Sequence, residues 1–409
     1  MEIVLTTTEI ERYPTYKDSE VDWLGEIPAH WELLKSKHLW KEKISLSKTG
    51  AETLLSVSQY IGVNNRENDS RSETLIGYKK VSENDLVINI MLAWLGGLGL
   101  SQLEGVVSPA YAVYELLSEA DPKFLHYLYR TNTYLDEFAR RSKGVVPSRW
   151  RMYTDDFGQV LTLLPPLPEQ TAIALFLDRK TAQIDNAIRI KERQIELLQE
   201  RRQILIHRAV TRGLDPKVPL KDSGVDWIGE IPAHWEVKAL KFIAHLQSGE
   251  TISAESFIEE GYPVFGGNGF RGYASTYTND GEFALIGRQG ALCGNINYAS
   301  GRFYASEHAI VVYPLNSENT IWLGESIRVA DFNRLSQSAA QPGIAVGVIK
   351  NVKFPYPPIT EQHQISQSIK LIQSRIDNII TTKQQEIEKL KEYKGTLINS
   401  AVTGKIKVG

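Results

Sequence analysis

The stretch KDSEVDWLGEIPAHW, residues 17–31, is written again as KDSGVDWIGEIPAHW at residues 221–235, with thirteen of the fifteen positions identical at a constant offset of 204. A second pair follows. PPLPEQ (165–170) runs into a segment ending in AVT (209–211), and PPITEQ (357–362) runs into another ending in AVT (401–403), at a constant offset of 192 with no gap. A repeat of roughly 200 residues is far longer than a solenoid unit, so it implies two similar domains. Length agrees, because 409 residues exceed what one hydrophobic core normally supports. Between these repeated frames the text changes: residues 32–164 and 236–356 share no obvious similarity and differ in length by twelve. Drift after duplication would erode frame and insert together, whereas here one is kept and the other replaced. The expected division is a first module at 1–164, a helical segment at 165–213, a second module at 214–356 and a second helical segment at 357–409.

Both helical segments carry a 3-4 ladder. Ile184, Ile188, Lys191, Ile195, Leu198, Arg202 and Leu205 form the first; Ile376, Ile380, Lys383, Ile387, Leu390, Lys394 and Leu397 form the second. This is the a/d spacing of a coiled-coil seam. Each ladder has a lysine at its third rung and a basic residue at its sixth, and polar rungs fix register and partner. The spacing predicts helices over 169–208 and 361–400, each preceded by Pro-Pro and stopped by a glycine, Gly213 or Gly404. About 40 residues at ~1.5 Å each make a rod of ~60 Å. A dimerisation coiled coil would carry the same pattern. One rod after each module favours an intrachain antiparallel pair that holds the modules a fixed distance apart.

The composition, 42% hydrophobic and 23% charged, excludes disordered and fibrous classes. One cysteine, Cys293, rules out an intrachain disulfide and fits a reducing cytoplasm. The start, MEIVLTTTEIERY, lacks the basic region of a signal peptide. The most apolar run, Leu86 to Leu100, is shorter than the about 20 residues that span a bilayer and reads as protein interior.

The inserts read as α+β. Strands are expected in DLVINIML (85–92), YAVYELL (111–117), YPVFGGNGFRGYA (262–274), EFALIGRQGALCG (282–294) and HAIVVYP (308–314), with a helix from Pro122 to about Arg141. A net charge of −3 gives no support to a nucleic-acid partner. The first module has 18 basic against 23 acidic residues and the second 11 against 15, so any such claim rests on local patches. Arg140, Arg141, Lys143, Arg149 and Arg151 fall within twelve residues, RRSKGVVPSRWR, with no acid among them. That stretch suits phosphate contact by a loop; a solvated surface loop would look the same. In the second module Asn268, Arg271, Arg288, Gln289 and His308 sit in or beside glycine turns. Arginine, asparagine and glutamine make paired hydrogen bonds to base edges, although each of these residues alone also suits ordinary turn chemistry.

Catalytic motifs are missing or misleading. GNGFRG (267–272) matches a dinucleotide fingerprint by letter, but the residues after it are strand or loop material rather than an opening helix. Gly404-Lys405 lacks the rest of a phosphate loop, and LPPL (164–167) and YPPI (356–359) lack the leading amide or acid of an adenine-methylating tetrapeptide. A single cysteine and no HExxH imply no metal. His30 and His234, each beside a tryptophan, read as packing residues.

The frame VDWLGEIPAHW, a variable segment, LPPLPEQ and a long helix, all repeated once, resembles the specificity subunit of type I restriction-modification systems over nearly the whole chain. The resemblance implies two tandem target recognition domains, separated by long helices in an antiparallel coiled coil, with internal pseudo-two-fold symmetry. It implies a non-catalytic subunit that reads a split, asymmetric site in double-stranded DNA and docks two methyltransferase subunits. S-adenosylmethionine chemistry, ATP-driven translocation and magnesium-dependent cleavage would belong to those partners and to restriction subunits, with no cofactor in this chain and no membrane. The second copy departs at Thr360 and His363, where the first has Pro168 and Thr171, which leaves the second helix start open. Two other readings compete: a coiled-coil adaptor whose inserts bind proteins, and an enzyme centred on Gly266–Gly272.

Overall fold

The computed structural model describes residues 11–66, 74–146, 149–290, 293–335 and 343–408. The first ten residues, on which the reading of the start rested, lie outside this set, as do Pro147, Ser148, Ala291 and Leu292 of the stretches quoted above. The chain divides into two compact units, residues 1–191 with 385–409, and residues 192–384. Each unit therefore holds one module, the first part of the helix that follows it, and the last part of the other long helix. Among the described residues no helix is long and apolar enough to cross a membrane.

In the first unit the strands are β1 (Tyr16–Asp18), β2 (Glu26–Pro28), β3 (Glu32–Lys35), β4 (Trp40–Glu42), β5 (Leu55–Ser58) and β6 (Gly62–Asn65). They continue as β7 (Lys79–Val81), β8 (Leu86–Asn89), β9 (Leu98–Leu100), β10 (Gly105–Val107), β11 (Tyr111–Leu116) and β12 (Leu161–Leu164). The frame residues make the β1–β2 hairpin and the antiparallel β3–β12 pair that closes the insert. The insert is a four-stranded sheet of order β4-β11-β8-β9, with the hairpin β5–β6 and the pair β7–β10 beside it, linked by a parallel bridge from Leu54 to Val106. Leu86 and Ile88 pack into the main core with Phe124, Leu125 and Leu128, while Val87 and Val113 pack the opposite face with Leu55, Val57 and Val107. A strand buried on both faces reads as a continuous apolar run, which is why DLVIN shows no alternation.

In the second unit the strands are β13 (Leu220–Asp222), β14 (Glu230–Pro232), β15 (Glu236–Ala239), β16 (Ala244–Ser248), β17 (Phe257–Ile258), β18 (Tyr262–Gly266) and β19 (Gly269–Ala274). They continue as β20 (Asn279–Asp280), β21 (Phe283–Gly287), β22 (Ile296–Ala299), β23 (Arg302–Ala305), β24 (Ala309–Pro314) and β25 (Lys353–Tyr356). The architecture repeats, with one strand, β17, added in the second unit. β13–β14 and β15–β25 match β1–β2 and β3–β12, and the sheet β16-β24-β21-β22 matches β4-β11-β8-β9. In the sheet β17-β19-β18-β23-β20, the parallel β18–β23 pair stands where the Leu54–Val106 bridge stands in the first unit. The inserts, dissimilar in text, are therefore one fold built twice. Leu285 and Val311 face one core while Ala284, Ile286, Ile310 and Val312 face the other, the same two-sided burial with different apolar residues.

The predicted helix from Pro122 to Arg141 is two helices, α1 (Pro122–Tyr129) and α2 (Asn132–Arg141). Thr131 breaks it: its hydroxyl donates to Leu128 O at 2.8 Å, and its side chain caps α2 by accepting from Tyr134 N. In the second unit α3 (Thr320–Val329) occupies the place of α1. The long helices run Leu167–Arg212 and Ile359–Val402, slightly longer than the ladders require. Both begin at the third position of the Pro-Pro element, so Thr360 does not move the second start. Gly213 and Gly404 end them at φ of +72° and +73°, a left-handed conformation that glycine adopts without strain.

The pairing of these helices is antiparallel within each unit. In the first, Lys394 Nζ meets Asp185 at 2.7 Å and Lys191 Nζ meets Glu386 at 2.6 Å, so contacts climb one helix as they descend the other. In the second, Arg202 meets Asp377 at 2.7 Å, while Ile206, Ala209 and Val210 share a core with Ile365 and Ile369. Arg202–Asp377 and Lys394–Asp185 are one bridge written twice at an offset of 192, which gives the basic sixth rung its reason. Of the helix-pairing residues, Ile184, Ile376, Ile380, Ile387 and Leu397 are buried, and Ile188, Ile195, Leu198, Leu205 and Leu390 are half-buried.

The duplicated motifs form a latch in each unit. Trp31 and Trp235 are fully buried, and a buried indole N–H needs an acceptor. Each finds the glutamate in the first turn of the long helix that follows its module: Trp31 Nε1 donates to Glu169 at 3.1 Å and Trp235 Nε1 to Glu361 at 2.9 Å. His30 packs against Tyr13 at 5.6 Å and His234 against Trp235 at 6.4 Å, but packing is not all they do. They are half-exposed and bind the same carboxylates at 2.9 and 2.6 Å. The neighbouring glutamine tightens the joint. Gln170 accepts from Asp121 N at 2.9 Å and donates to Pro165 O at 2.7 Å; Gln362 accepts from Asn319 N at 3.1 Å and donates to Pro357 O at 3.0 Å. Even the departure is compensated, since Thr171 donates to Asp121 at 2.9 Å where His363 Nδ1 lies 3.1 Å from Asn319 Nδ2.

Candidate nucleic-acid interface

Four of the five residues singled out in the second module meet at one place. Asn268, Arg271, Gln289 and His308, together with Gly267 and Phe270, line an open cleft of about 310 Å³. They arrive from three connections: the β18–β19 hairpin, the loop after β21 and the turn before β24. The hairpin bulges between Val264 and Phe265 and places Gly266 against Arg271; a Cβ on Gly266 would lie 2.5 Å from Arg271 Cδ. The Arg271 guanidinium lies 5.7 Å from the centre of the Phe257 ring. The loop after β21 is pinned by backbone bonds, Arg288 N to His308 O at 2.9 Å and Ile344 N to Arg288 O at 3.0 Å. Its side chains then diverge. Gln289 Oε1 sits 3.2 Å from His308 Nδ1 in the cleft, whereas Arg288 points towards Ser248 at 3.5 Å and does not line it. His308 Nε2 is also 3.2 Å from Glu307, so both ring nitrogens are held.

Such a cleft presents amide, guanidinium and imidazole groups side by side, the donors and acceptors that read base edges in a major groove. The letter match to a dinucleotide fingerprint is a β-hairpin, with no helix opening after it. Among the described residues no group of three or more His, Cys, Asp or Glu side chains is placed to hold a metal ion.

The basic stretch of the first module is distributed differently. Arg140 and Arg141 belong to the last turn of α2, and both clamp the fully buried carboxylate of Glu137, Arg140 through two bonds of 2.7 and 2.9 Å. Lys143 is paired with Asp156 at 2.7 Å, and Arg151 donates to Trp150 O at 3.2 Å. Arg149 is exposed and has no side-chain partner among the described residues. Lys143 and Arg151 exchange backbone bonds of 3.0 and 2.9 Å, which close the segment between them into a loop. The five basic residues look alike in sequence, but charge pairing across the fold leaves Arg149 and Arg151 without an acidic partner among the described residues, and of these Arg149 alone lacks a side-chain hydrogen bond there. A larger cleft of about 720 Å³ in this unit, lined by Asn64, Asn65, Asn84 and Gln102, carried no sequence signal, because lone amides in strand and turn segments are common.

Comparison with known proteins points one way. Residues 232–392 match the family model described as the type I restriction modification DNA specificity domain. The specificity subunit of the type I restriction enzyme EcoprrI from Escherichia coli is 42% identical over 134 residues, a stretch covering 32% of this chain and about a third (33%) of that protein. The MjaVIII specificity subunit from Methanocaldococcus jannaschii is 25% identical over 374 residues, covering 81% of this chain and 83% of that one. A solved chain from a study of assembly and conformational transition of the type I R-M system shares the fold with a TM-score of 0.73 at 16% identity, over 92% of this chain and 98% of its own. The HsdS subunit from Thermoanaerobacter tengcongensis gives a TM-score of 0.54 at 17% identity, over 93% and 98%. The chain writes one latch and one sheet twice, matches the type I restriction modification DNA specificity domain over residues 232–392, and is similar over most of its length to specificity subunits of type I restriction enzymes.

Proposed function

We propose that this chain reads a bipartite, asymmetric sequence in double-stranded DNA for a type I restriction-modification complex and has no catalytic centre of its own. Residues 1–164 and 214–356 are its two recognition modules, and 165–213 and 357–409 are the helical segments that set the gap between half-sites and dock two methyltransferase subunits. Restriction subunits would join in the full complex, in the cytoplasm, and S-adenosylmethionine, ATP and magnesium would act on those partners. The observation that carries the reading is the convergence of Asn268, Arg271, Gln289 and His308 on one cleft from three separate connections. The acidic balance of the modules fits a reader clamped by other subunits, because base contacts specify while phosphate contacts, which its partners can supply, position. Two unlike inserts on a duplicated scaffold would read a non-palindromic site, since identical halves on a two-fold frame read palindromes.

The test is to mix the chain with its modification partner and S-adenosylmethionine and to map methylated adenines. One split, asymmetric site is expected, and Asn268→Ala with Gln289→Ala should relax one half only. Methylation of the same sites by the partner alone would overturn the proposal.

A further inference from the structure

The two units share their topology, so every connection that builds the second-unit cleft has a counterpart in the first. The β18–β19 turn corresponds to Gln59–Ile61, between β5 and β6. The loop after β21 corresponds to 90–97, after β8, and the turn before β24 corresponds to 108–110, before β11. A backbone bond extends the match: Ile344 N donates to Arg288 O at 3.0 Å, and Met152 N donates to Ile90 O at 2.8 Å. The segment arriving at Met152 is the loop closed by Lys143 and Arg151. The acid-free basic stretch of the first module thus leads to the position that borders the cleft in the second.

Contacts tie these first-unit loops together. Arg130 donates to Gln59 O at 2.9 Å, to Gly96 O at 3.0 Å and to Leu98 O at 2.6 Å, pinning the β5–β6 turn to the loop after β8. Its counterpart, Arg328, donates to Ile296 O at 3.0 Å, the position equivalent to Leu98. The Trp94 and Trp150 rings meet edge to face at 5.2 Å and join the loop after β8 to the basic loop. What this surface displays is unlike its counterpart. Where the second unit sets Phe270 among amides and an imidazole, the first offers Tyr60 at 81% exposure and Ile61 at 64%, with Ile61 at the border of its amide-lined cleft and Arg149 on the adjoining loop. Two large side chains next to each other, on a turn braced by a half-buried arginine, form a small apolar contact surface that is held in place before any partner arrives.

We propose that Tyr60 and Ile61 are specificity determinants for the half-site read by the first module, making apolar contact with thymine C5-methyl groups in the major groove. Arg149 supplies a phosphate contact, and Arg130 is the positioning residue that holds the tip. The proposal rests on the DNA-reading function above. It assigns the two modules different chemistry on one scaffold: hydrogen bonding in the second and methyl contact in the first.

The test uses the complex with the modification partner and duplexes carrying its mapped site. The half relaxed by Asn268→Ala and Gln289→Ala belongs to the second module, and the other half to the first. Deoxyuridine in place of thymidine removes only the methyl group. In the first-module half it should weaken binding by about fourfold per contacted methyl, the value of one buried carbon, and should have no effect on a Tyr60→Ala/Ile61→Ala variant. Arg149→Ala should weaken binding to all sequences alike and lower the salt slope by about one. Arg130→Met should abolish the methyl effect while the second half-site is still selected, and Arg130→Lys should recover part of it. Methyl sensitivity that persists in Arg130→Met would overturn the positioning role. Deoxyuridine sensitivity unchanged in Tyr60→Ala/Ile61→Ala, with the second half still selected, overturns this proposal alone. Loss of all sequence selection in the unaltered complex would overturn the DNA-reading function itself.

Discussion

Replacing Gln170 with alanine tests whether the repeated glutamine joins each module to its long helix. The side chain is buried, accepts from Asp121 N and donates to Pro165 O. Its removal strands one backbone donor and one backbone acceptor where water has little access, at about 1–3 kcal/mol for each group. The sum is roughly 2–6 kcal/mol, a large part of the about 5–15 kcal/mol that holds a domain folded. For a unit of this size each kcal/mol moves Tm by about 2–4 °C, so a fall of roughly 4–24 °C is expected. Gln362→Ala should cost the second unit the same, because its bonds to Asn319 N and Pro357 O are equivalent. Hydrogen exchange followed by mass spectrometry reads the units separately, and each variant should deprotect its own. Gln199→Ala, on the exposed face of the first long helix, should stay within about 0.5 kcal/mol. A cost below that level for Gln170→Ala, or equal deprotection of both units, would refute the joint.

In the helix pair, Ile184→Ala or Ile387→Ala should destabilise by roughly 2–3 kcal/mol in denaturant titrations. Lys394→Ala and Arg202→Ala should cost about 0–1 kcal/mol each, an effect that vanishes in high salt, because their acidic partners are more than half exposed. His126 is half-buried, accepts from Leu100 N at 3.2 Å, and is held down to a pKa of about 4, first by desolvation and then by the Arg130 charge. The unfolded chain takes up this proton near pH 6.5 and the folded one only near 4, so stability is full above 6.5 and is lost as pH falls through that window. The loss is roughly 3 kcal/mol at the acid end, and His126→Gln should flatten the slope in pH-dependent unfolding. At the second-module cleft, Gln289→Ala should reduce discrimination at one base position by about 1–3 kcal/mol in competition binding, with the salt slope unchanged.

Text that recurs without change fixed the largest features in advance. The duplicated frame announced two like domains, the 3-4 ladders located both long helices within a few residues, and Gly213 and Gly404 marked their ends. These signals are local, because periodicity and capping follow from backbone geometry within a few turns. Three results needed the tertiary structure. The inserts proved to be one sheet built twice, since a strand buried on both faces asks only for apolar side chains and backbone hydrogen bonding does not record which ones. His30 and His234 proved to be ligands of Glu169 and Glu361, partners more than a hundred positions away that no window of sequence joins. The basic stretch of the first module proved mostly committed, with Arg140 and Arg141 neutralising a buried acid, Lys143 paired with Asp156, and Arg149 and Arg151 without an acidic partner among the described residues. Which charge is free is set by what folds against it, and that is decided in three dimensions.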